Sequence, residues 1–463
     1  VESTVLLAAR RAARSASTQP LYLRLAEALA SCVEADGSET LPSARELGRR
    51  LAVNRATVTA AYRELARRGL VVMRPGRPRR SPWRREADVS SFAAMPAGVA
   101  DLARYAPDEE LLPTARVFRW LGLGQGEGER VAQYGHAWGY APLRKWVAAR
   151  LQGVGVRTSS ERVLLTAGVQ HGLDLLLRSL LHAGEAVLVE DPTYPGLPPL
   201  LALHRLATVG LPFHHRGIDL DKAAALLRRT RVRAAILTPT LHNPSGLVLD
   251  EGQRRRLLAL LGRAGALIIE EFFDPSLVCD GNVPPPLAAL DPGVISVGSF
   301  SKVLFPGLRV GWIAGPAAFV ERAAAVKTAA DLSGSPFLEA AAWTLCQRGV
   351  LDEQLARLRR AAQARGRIVF TAFQAAPAGV EWSRPRGGFS LLVTLPDGWS
   401  SRAVATRAAE RGVWILPGSA MSVSGRDDVL RVAYAACGGA ALQTGMEQVL
   451  AALSPVRGTL PLV

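Results

Sequence analysis

"SFSKVLFPGLRVGW", residues 299–312, places Lys302 directly after Ser301, with Ser299 close by and Arg309 seven residues on. The chain contains 52 Arg and only four Lys, namely Lys145, Lys222, Lys302 and Lys327. Where any positive charge would serve, this sequence writes arginine. A lysine differs in one chemical respect, because its amine deprotonates and attacks a carbonyl whereas a guanidinium does not. Taken alone, a solvated surface lysine would account for position 302, so its meaning rests on what else the chain carries.

At 463 residues the chain exceeds one ordinary core, and two or three domains are expected. Hydrophobic residues make up 49% and mean hydropathy is +0.13. No stretch approaches the roughly 18 uninterrupted apolar residues of a membrane span. The opening "VESTVLLAARRAARSAST" has no cleavage-type apolar block and carries Glu2 at its front, so it reads as a disordered basic arm rather than a targeting segment. Cys32, Cys279, Cys346 and Cys437 lie far apart with no Cys-x-x-Cys or His pairing. That argues against a metal site or disulfide framework and fits a reducing cytoplasm.

The net charge of +16 is concentrated at one end. Residues 1 to 85 hold 17 Arg against 7 Asp plus Glu, a net of +10, leaving +6 for the rest. Such a head points to a polyanion partner. Within it, "LYLRLAEALASCVEA" (21–35) places Leu25, Leu29, Cys32 and Val33 on one helical face. Ser43 and Glu46 form a capping-box pair before a short helix from about Ala44 to Leu51. Asn54 caps a second helix with an apolar stripe of Val58, Ala61, Tyr62 and Leu65, closed by Gly69. Two short helices joined by a three- or four-residue turn place the second helix in a DNA major groove, with Arg55, Thr57 and Thr59 at its exposed N-terminal end. After them "RPGRPRRSPW" (74–83) carries Pro78 and four arginines, which predicts a ragged basic arm in place of a tidy hairpin.

Beyond an Arg-, Pro- and Ser-rich linker, short β-rich runs alternate with helical stretches: "RVLLT" (162–166), "AVLVE" (186–190), "RAAILT" (233–238), "ALIIE" (266–270) and "VISVGS" (294–299). This is the pattern of an α/β domain with a largely parallel sheet and its ligand at the carboxyl ends of the strands. Several strand ends carry related chemistry. "LLTAGVQHG" runs from strand through glycine into helix, so the amides of Gly168, Val169 and Gln170 form a phosphate cradle. "EDPTYPG" presents Tyr194 for stacking on a flat ring, "HNPSG" presents Asn243, and "IIEEFFD" delivers Glu271 and Asp274. "SFSK" supplies Ser299, Ser301 and Lys302, and Arg309 adds a second phosphate charge. Cradle, stacker, carboxylate and lysine are together what a phosphorylated pyridine aldehyde requires.

The head stretch "LPSARELGRRLAVNRATVTAAYRELARRGL" (41–70) closely resembles the winged helix-turn-helix of the GntR superfamily. By that resemblance Arg45, Arg55, Thr57 and Gly76 sit where the family contacts DNA. The order of motifs over roughly residues 99 to 455 closely resembles the fold-type I, class I/II aminotransferases, with "SKVLFPGLRVGW" the most specific match. The resemblance implies pyridoxal 5'-phosphate as cofactor, with Lys302 forming the internal aldimine. It places Tyr134, in "YGHAWGYAPLRKWVAARL", at the partner subunit's phosphate, and Arg431, in "VLRVAY", at a ligand carboxylate. The expected layout is a winged helix-turn-helix over 1–79, a linker over 80–98, and a transferase-like body over 99–463. That body has a mostly parallel large domain and a smaller C-terminal α+β subdomain from about 326. The fusion is the arrangement of MocR-like regulators, which implies a homodimer, a double-stranded DNA operator and a small-molecule effector.

Three positions depart from the aminotransferase pattern: Glu271 stands for an aspartate, Phe273 for a tyrosine and Tyr105 for a glycine. Efficient transamination needs a firm electron sink and room for an amino acid. A ligand-sensing transcription regulator is therefore the favoured reading. An active aminotransferase with a DNA-binding head and a DNA-binding dimer with a cofactor-free body are the alternatives.

Overall fold

The computed structural model describes residues 9–10, 13, 19–35, 41–67, 71–72, 79–80, 99–113 and 132–454. They fall into two compact units, Val1–Val89 and Ser90–Val463.

In the first unit helix α1 (Leu21–Ala35) precedes α2 (Ala44–Leu51) and α3 (Arg55–Arg67). Ser43 begins α2 by accepting the Glu46 amide at 3.1 Å, and Glu46 pairs with Arg50 at 3.1 Å. Asn54 begins α3 by accepting the Ala56 amide at 2.8 Å. Leu25, Leu29, Leu47, Val58, Ala61, Tyr62 and Leu65 form one buried cluster, and the Tyr62 hydroxyl satisfies itself on the Pro42 carbonyl at 2.7 Å. Helical spacing in the sequence thus became three packed faces.

The segment after α3 differs from the expected ragged arm. Strand β1 (Val71–Val72) pairs antiparallel with β2 (Arg79–Arg80), Val71 opposite Arg80. Pro78 lies outside the described residues. The ladder uses Val71, Val72, Arg79 and Arg80, each of which carries an N–H. Arg80, the first residue of the expected linker, belongs to this hairpin. Gly69, Gly76 and residues 81–98 also lie outside the described residues.

The second unit starts with β3 (Ala100–Asp101) and is built on an eight-stranded sheet. Its strands are β4 (Val163–Thr166), β5 (Ala186–Asp191), β6 (Ala207–His214), β7 (Gly217–Ile218), β8 (Ala234–Leu237), β9 (Leu267–Glu271), β10 (Ile295–Ser299) and β11 (Gly311–Ala314). They are ordered β4-β11-β10-β9-β8-β5-β6-β7. The five strands β6, β5, β8, β9 and β10 run parallel, and β11 is antiparallel to both its neighbours, β10 and β4. Alternation sends Leu188, Ala235 and Leu237 to one buried layer and Val187, Val189, Ala234 and Ile236 to the other. The ends of β4, β5, β8, β9 and β10 therefore open on one side, where the site forms.

A four-stranded sheet, β12-β13-β16-β15, makes the C-terminal layer from β12 (Glu381–Trp382), β13 (Ser390–Thr394), β15 (Leu416–Pro417) and β16 (Val429–Ala433). Strand β14 (Val413–Trp414) pairs with β3. Leu102 accordingly packs in the C-terminal core with residues such as Phe373, Leu391 and Val432. The expected subdomain start near 326 falls inside the helix Ala317–Asp331. That helix packs Val320, Ala323 and Ala324 into the large-domain layer, and the C-terminal core takes its first helical residues near Ala362.

Candidate ligand site

The anion end of the site is made by backbone close approach. Gly168 precedes the helix α4 (Val169–Leu180) with φ +95°, and a Cβ there would lie 3.0 Å from the Arg309 guanidinium. A Cβ on Gly311, across the strand pair, would lie 2.7 Å from Gly168 Cα. Gly168 is thus dictated by its positive φ and Gly311 by space. The first helical bond is the Gly172 amide to the Gly168 carbonyl, which leaves the leading N–H groups of α4 facing the site. Arg309 donates to the Ala167 carbonyl at 2.8 Å and to Ser301 Oγ at 3.5 Å. Ser299 Oγ lies 3.0 Å from Ser301 Oγ and accepts the Ser301 amide at 3.0 Å. Gln170 turns its side-chain N–H to the Gly196 carbonyl at 3.0 Å and leaves its Oε1 buried without a partner. Helix dipole, guanidinium and hydroxyls converge on a site for a dianion such as a phosphate monoester.

The middle of the site holds Tyr194, Glu271 and Lys302. Tyr194 follows β5, its ring packed over Gly196, where a Cβ would approach within 2.6 Å. Burial pushes its phenol up to about 12, with Glu271 adding to the shift and Arg309 and Arg431 opposing it. Glu271 ends β9 and is buried. Burial pushes its carboxyl up to about 7 against the nearby Lys302 charge and a bond from Thr238 Oγ1 at 3.3 Å. Lys302 Nζ donates to the Tyr105 carbonyl at 2.5 Å. Burial brings its amine down to about 8, helped by the Arg431 charge and opposed by Glu271. Glu271, Phe273, Ser299 and Lys302 line a shared cavity.

Arg431 on β16 closes the far end. It is 2% exposed, donates to Asn243 Oδ1 at 3.0 Å and to the Ala103 carbonyl at 2.5 Å, and keeps its Nε buried without a partner. Burial brings its guanidinium down to about 10. Tyr105 occupies the space before it, with Arg431 5.4 Å and Lys302 5.6 Å from the ring centroid. Phe273 and Phe389 meet that ring edge-on at 6.2 and 5.5 Å. The Tyr105 hydroxyl is buried without a partner.

The structure therefore brings together Gly168, Val169, Gln170, Ser299, Ser301 and Arg309 at one end, and Tyr194, Asn243, Glu271, Lys302 and Arg431 beyond them. Asp274 lines the same cavity but is paired with Arg150 at 3.0 Å. Tyr134 is 89% exposed. In the first unit Arg45 and Arg55 are exposed and Thr57 is half-buried. Sequence reasoning missed Thr238, Glu190 and His242, which sit behind Glu271. The available signal was a glutamate inside the apolar run "AVLVED", since an acid in a buried strand needs a partner.

Residues 101–449 match the family described as aminotransferase class I and II, and residues 19–80 match bacterial regulatory proteins of the gntR family. The 2-aminoadipate transaminase of Thermus thermophilus is 32% identical over 79% of this chain and 92% of its own. The uncharacterized HTH-type transcriptional regulator YdfD of Bacillus subtilis is 28% identical over 88% of this chain and 90% of its own. Among solved structures, LysN, an alpha-aminoadipate aminotransferase from Thermus thermophilus complexed with N-(5'-phosphopyridoxyl)-L-leucine, superposes with a TM-score of 0.74 at 30% identity. That match covers 80% of this chain and 95% of LysN. The chain belongs to the class I and II aminotransferase family, with a gntR-type DNA-binding head joined to its body in the manner of MocR-like transcription regulators.

Proposed function

We propose that this protein is a DNA-binding transcription regulator whose body holds pyridoxal phosphate and answers an amino-acid-like effector. The observation that carries the reading is the joining of a gntR-type head to a body whose lysine and arginine are retained while Tyr105 fills the space between them. The residues fit the cofactor: the cradle closed by Gly168 and Gly311 suits its phosphate, and Gln170 Oε1 and Arg431 Nε are polar atoms awaiting partners. Bound there, pyridoxal phosphate supplies an aldehyde reactive toward amines.

The chain's own residues do the rest. The α4 N-terminus, Ser301 and Arg309 would hold the phosphate, and Tyr194 would cover a ring face. Glu271 would offer its carboxyl group to the ring nitrogen, and Lys302 presents an amine whose proton affinity burial lowers, which favours the free base. Phe273, where a hydroxyl would bond the ring oxygen, contributes only packing. Arg431 would exchange its bond to the Ala103 carbonyl for an effector carboxylate. Arg45, Arg55, Thr57 and Gly76 would meet the operator. We assign the working form as a cytoplasmic homodimer in which the exposed Tyr134 reaches the second copy. Among the described residues no helix is long and apolar enough to cross a membrane.

The test combines operator binding by fluorescence anisotropy with the visible spectrum of the same sample. The reading expects salt-sensitive operator binding and a cofactor band that responds to an amino acid without multiple turnover. The alternative, an aminotransferase carrying a DNA-binding head, draws on the 2-aminoadipate transaminase likeness. It would be selected by turnover in the usual enzyme range of about 1 to 1000 per second.

A further inference from the structure

Glu190 is 1% exposed, on the interior strand β5 between Val189 and Asp191. The Thr238 amide, just past the end of β8, donates to both of its carboxyl oxygens, at 2.9 and 3.0 Å. The Thr238 hydroxyl then donates to Glu271 Oε2 at 3.3 Å. Behind Glu190, His242 Nε2 lies 3.8 Å from Oε2 and has no hydrogen-bond partner. The histidine ring is fixed by Ser245 Oγ, 2.8 Å from Nδ1, and by stacking on Phe213 with centroids 3.8 Å apart. Glu190, Thr238, His242, Ser245 and Glu271 are all buried. The hydrogen-bonded chain runs from Glu190 through Thr238 to the carboxyl group of Glu271 beside the ligand site, with the stacked imidazole packed behind its start.

We propose that Glu190 is a positioning residue for Glu271, clamping Thr238 so that Glu271 Oε2 is held and Oε1 is the oxygen offered to the ring nitrogen of the cofactor. The inference rests on the pyridoxal-phosphate reading above. One amide held by two carboxyl oxygens fixes the orientation of Thr238, and that orientation aims its hydroxyl. Charge supports the same picture. Burial holds Glu190 up at about 8, with Glu271 adding to the shift, and keeps His242 neutral. Glu271 faces Lys302, Tyr105 and Tyr194 as well as Thr238, and the nearby Lys302 charge favours ionisation of Glu271 over that of Glu190.

The test uses the full chain with Glu190→Gln, Glu190→Ala and Thr238→Val. Three quantities are read: pyridoxal-phosphate affinity, the pH midpoint of the bound cofactor's absorption change, and the melting temperature without cofactor. Glu190→Ala and Thr238→Val should each weaken affinity about tenfold and move the midpoint, while Glu190→Gln, which keeps an acceptor, should restore affinity to within about twofold. Unchanged affinity and midpoint in the alanine and valine variants would overturn the proposal. A lower melting temperature with an unmoved midpoint and no rescue by glutamine would also overturn it, since that is the mark of a merely structural role. If the wild-type chain takes up no cofactor, the reading beneath the proposal fails. The infrared carboxyl band of Glu271, identified by its loss in Glu271→Gln, then decides the positioning claim. An upward shift of its titration in Glu190→Ala sustains that claim, and an unmoved band overturns it.

Discussion

Lys302 Nζ donates to the main-chain carbonyl of Tyr105 at 2.5 Å, so the residue that fills the pocket also restrains its nucleophilic amine. Two residues earlier the Ala103 carbonyl occupies Arg431 at 2.5 Å. One short stretch of chain thus engages both groups that a bound amino acid would need. Asp101 secures that stretch by accepting the amides of Ala103 and Arg104 at 3.2 and 2.9 Å.

Shortening Tyr105 should expose the site. Tyr105→Ala removes the ring between Lys302 and Arg431 while leaving the carbonyl bond in place. We expect the chain to be destabilised by about 3 to 5 kcal/mol, as for other aromatic truncations in a core. Single-turnover conversion of cofactor by amino acids should rise about tenfold or more, since each 1.36 kcal/mol removed from a barrier gives that factor. Stopped-flow absorbance checks the rate and denaturant titration the stability; an unchanged rate would show that the ring is not the obstruction.

Lys302→Arg keeps the charge and removes the nucleophile. The visible band of bound pyridoxal phosphate should disappear while circular dichroism and operator affinity stay those of the wild type. A persisting band would assign the covalent link to another amine.

Stability should fall with rising pH between about 4.5 and 7 through Glu271, because the folded chain holds a proton there that the unfolded chain has already released. Lys302 acts in the opposite sense between about 8 and 10.5, where the folded chain has already given up its proton. Glu271→Gln should therefore flatten the loss of stability across the acidic window in the cofactor-free chain. Melting curves at a series of pH values check this; an unaltered slope would place Glu271's proton elsewhere.

In the head, Arg55→Ala should cost about 1 to 3 kcal/mol of specific operator binding if the side chain reads a base edge. A uniform loss across unrelated DNA, with a reduced salt slope, would make Arg55 a phosphate contact instead.

Much of this architecture was legible because each strand end carries its own signal. The β-rich runs between helical stretches located β4, β5, β8, β9 and β10, and the residues following them, Gly168, Tyr194, Asn243 and Lys302, were readable as candidate site residues. The capping residues Ser43 and Asn54 likewise set the starts of two helices. What escaped was long-range. The bond from Lys302 spans 197 positions and that from Arg431 to Ala103 spans 328, and no local pattern encodes such pairings. The short β1–β2 hairpin was misjudged because the weight fell on Pro78 and not on Val71, Val72, Arg79 and Arg80, which form the pairs. Glu190 was passed over because an acid near the end of a largely apolar strand names no partner until Thr238 is folded against it.

The central claim is that Lys302 was kept for its amine. Borohydride treatment of the full chain with pyridoxal phosphate, followed by peptide mass mapping, tests it most directly. Lys145 and Lys222 are exposed, Lys327 is fully buried, and Lys302 alone stands in the site. The account predicts a stable pyridoxyl adduct on the peptide containing Lys302 and on no other lysine. An adduct confined to Lys145 and Lys222, or none at all, would contradict it.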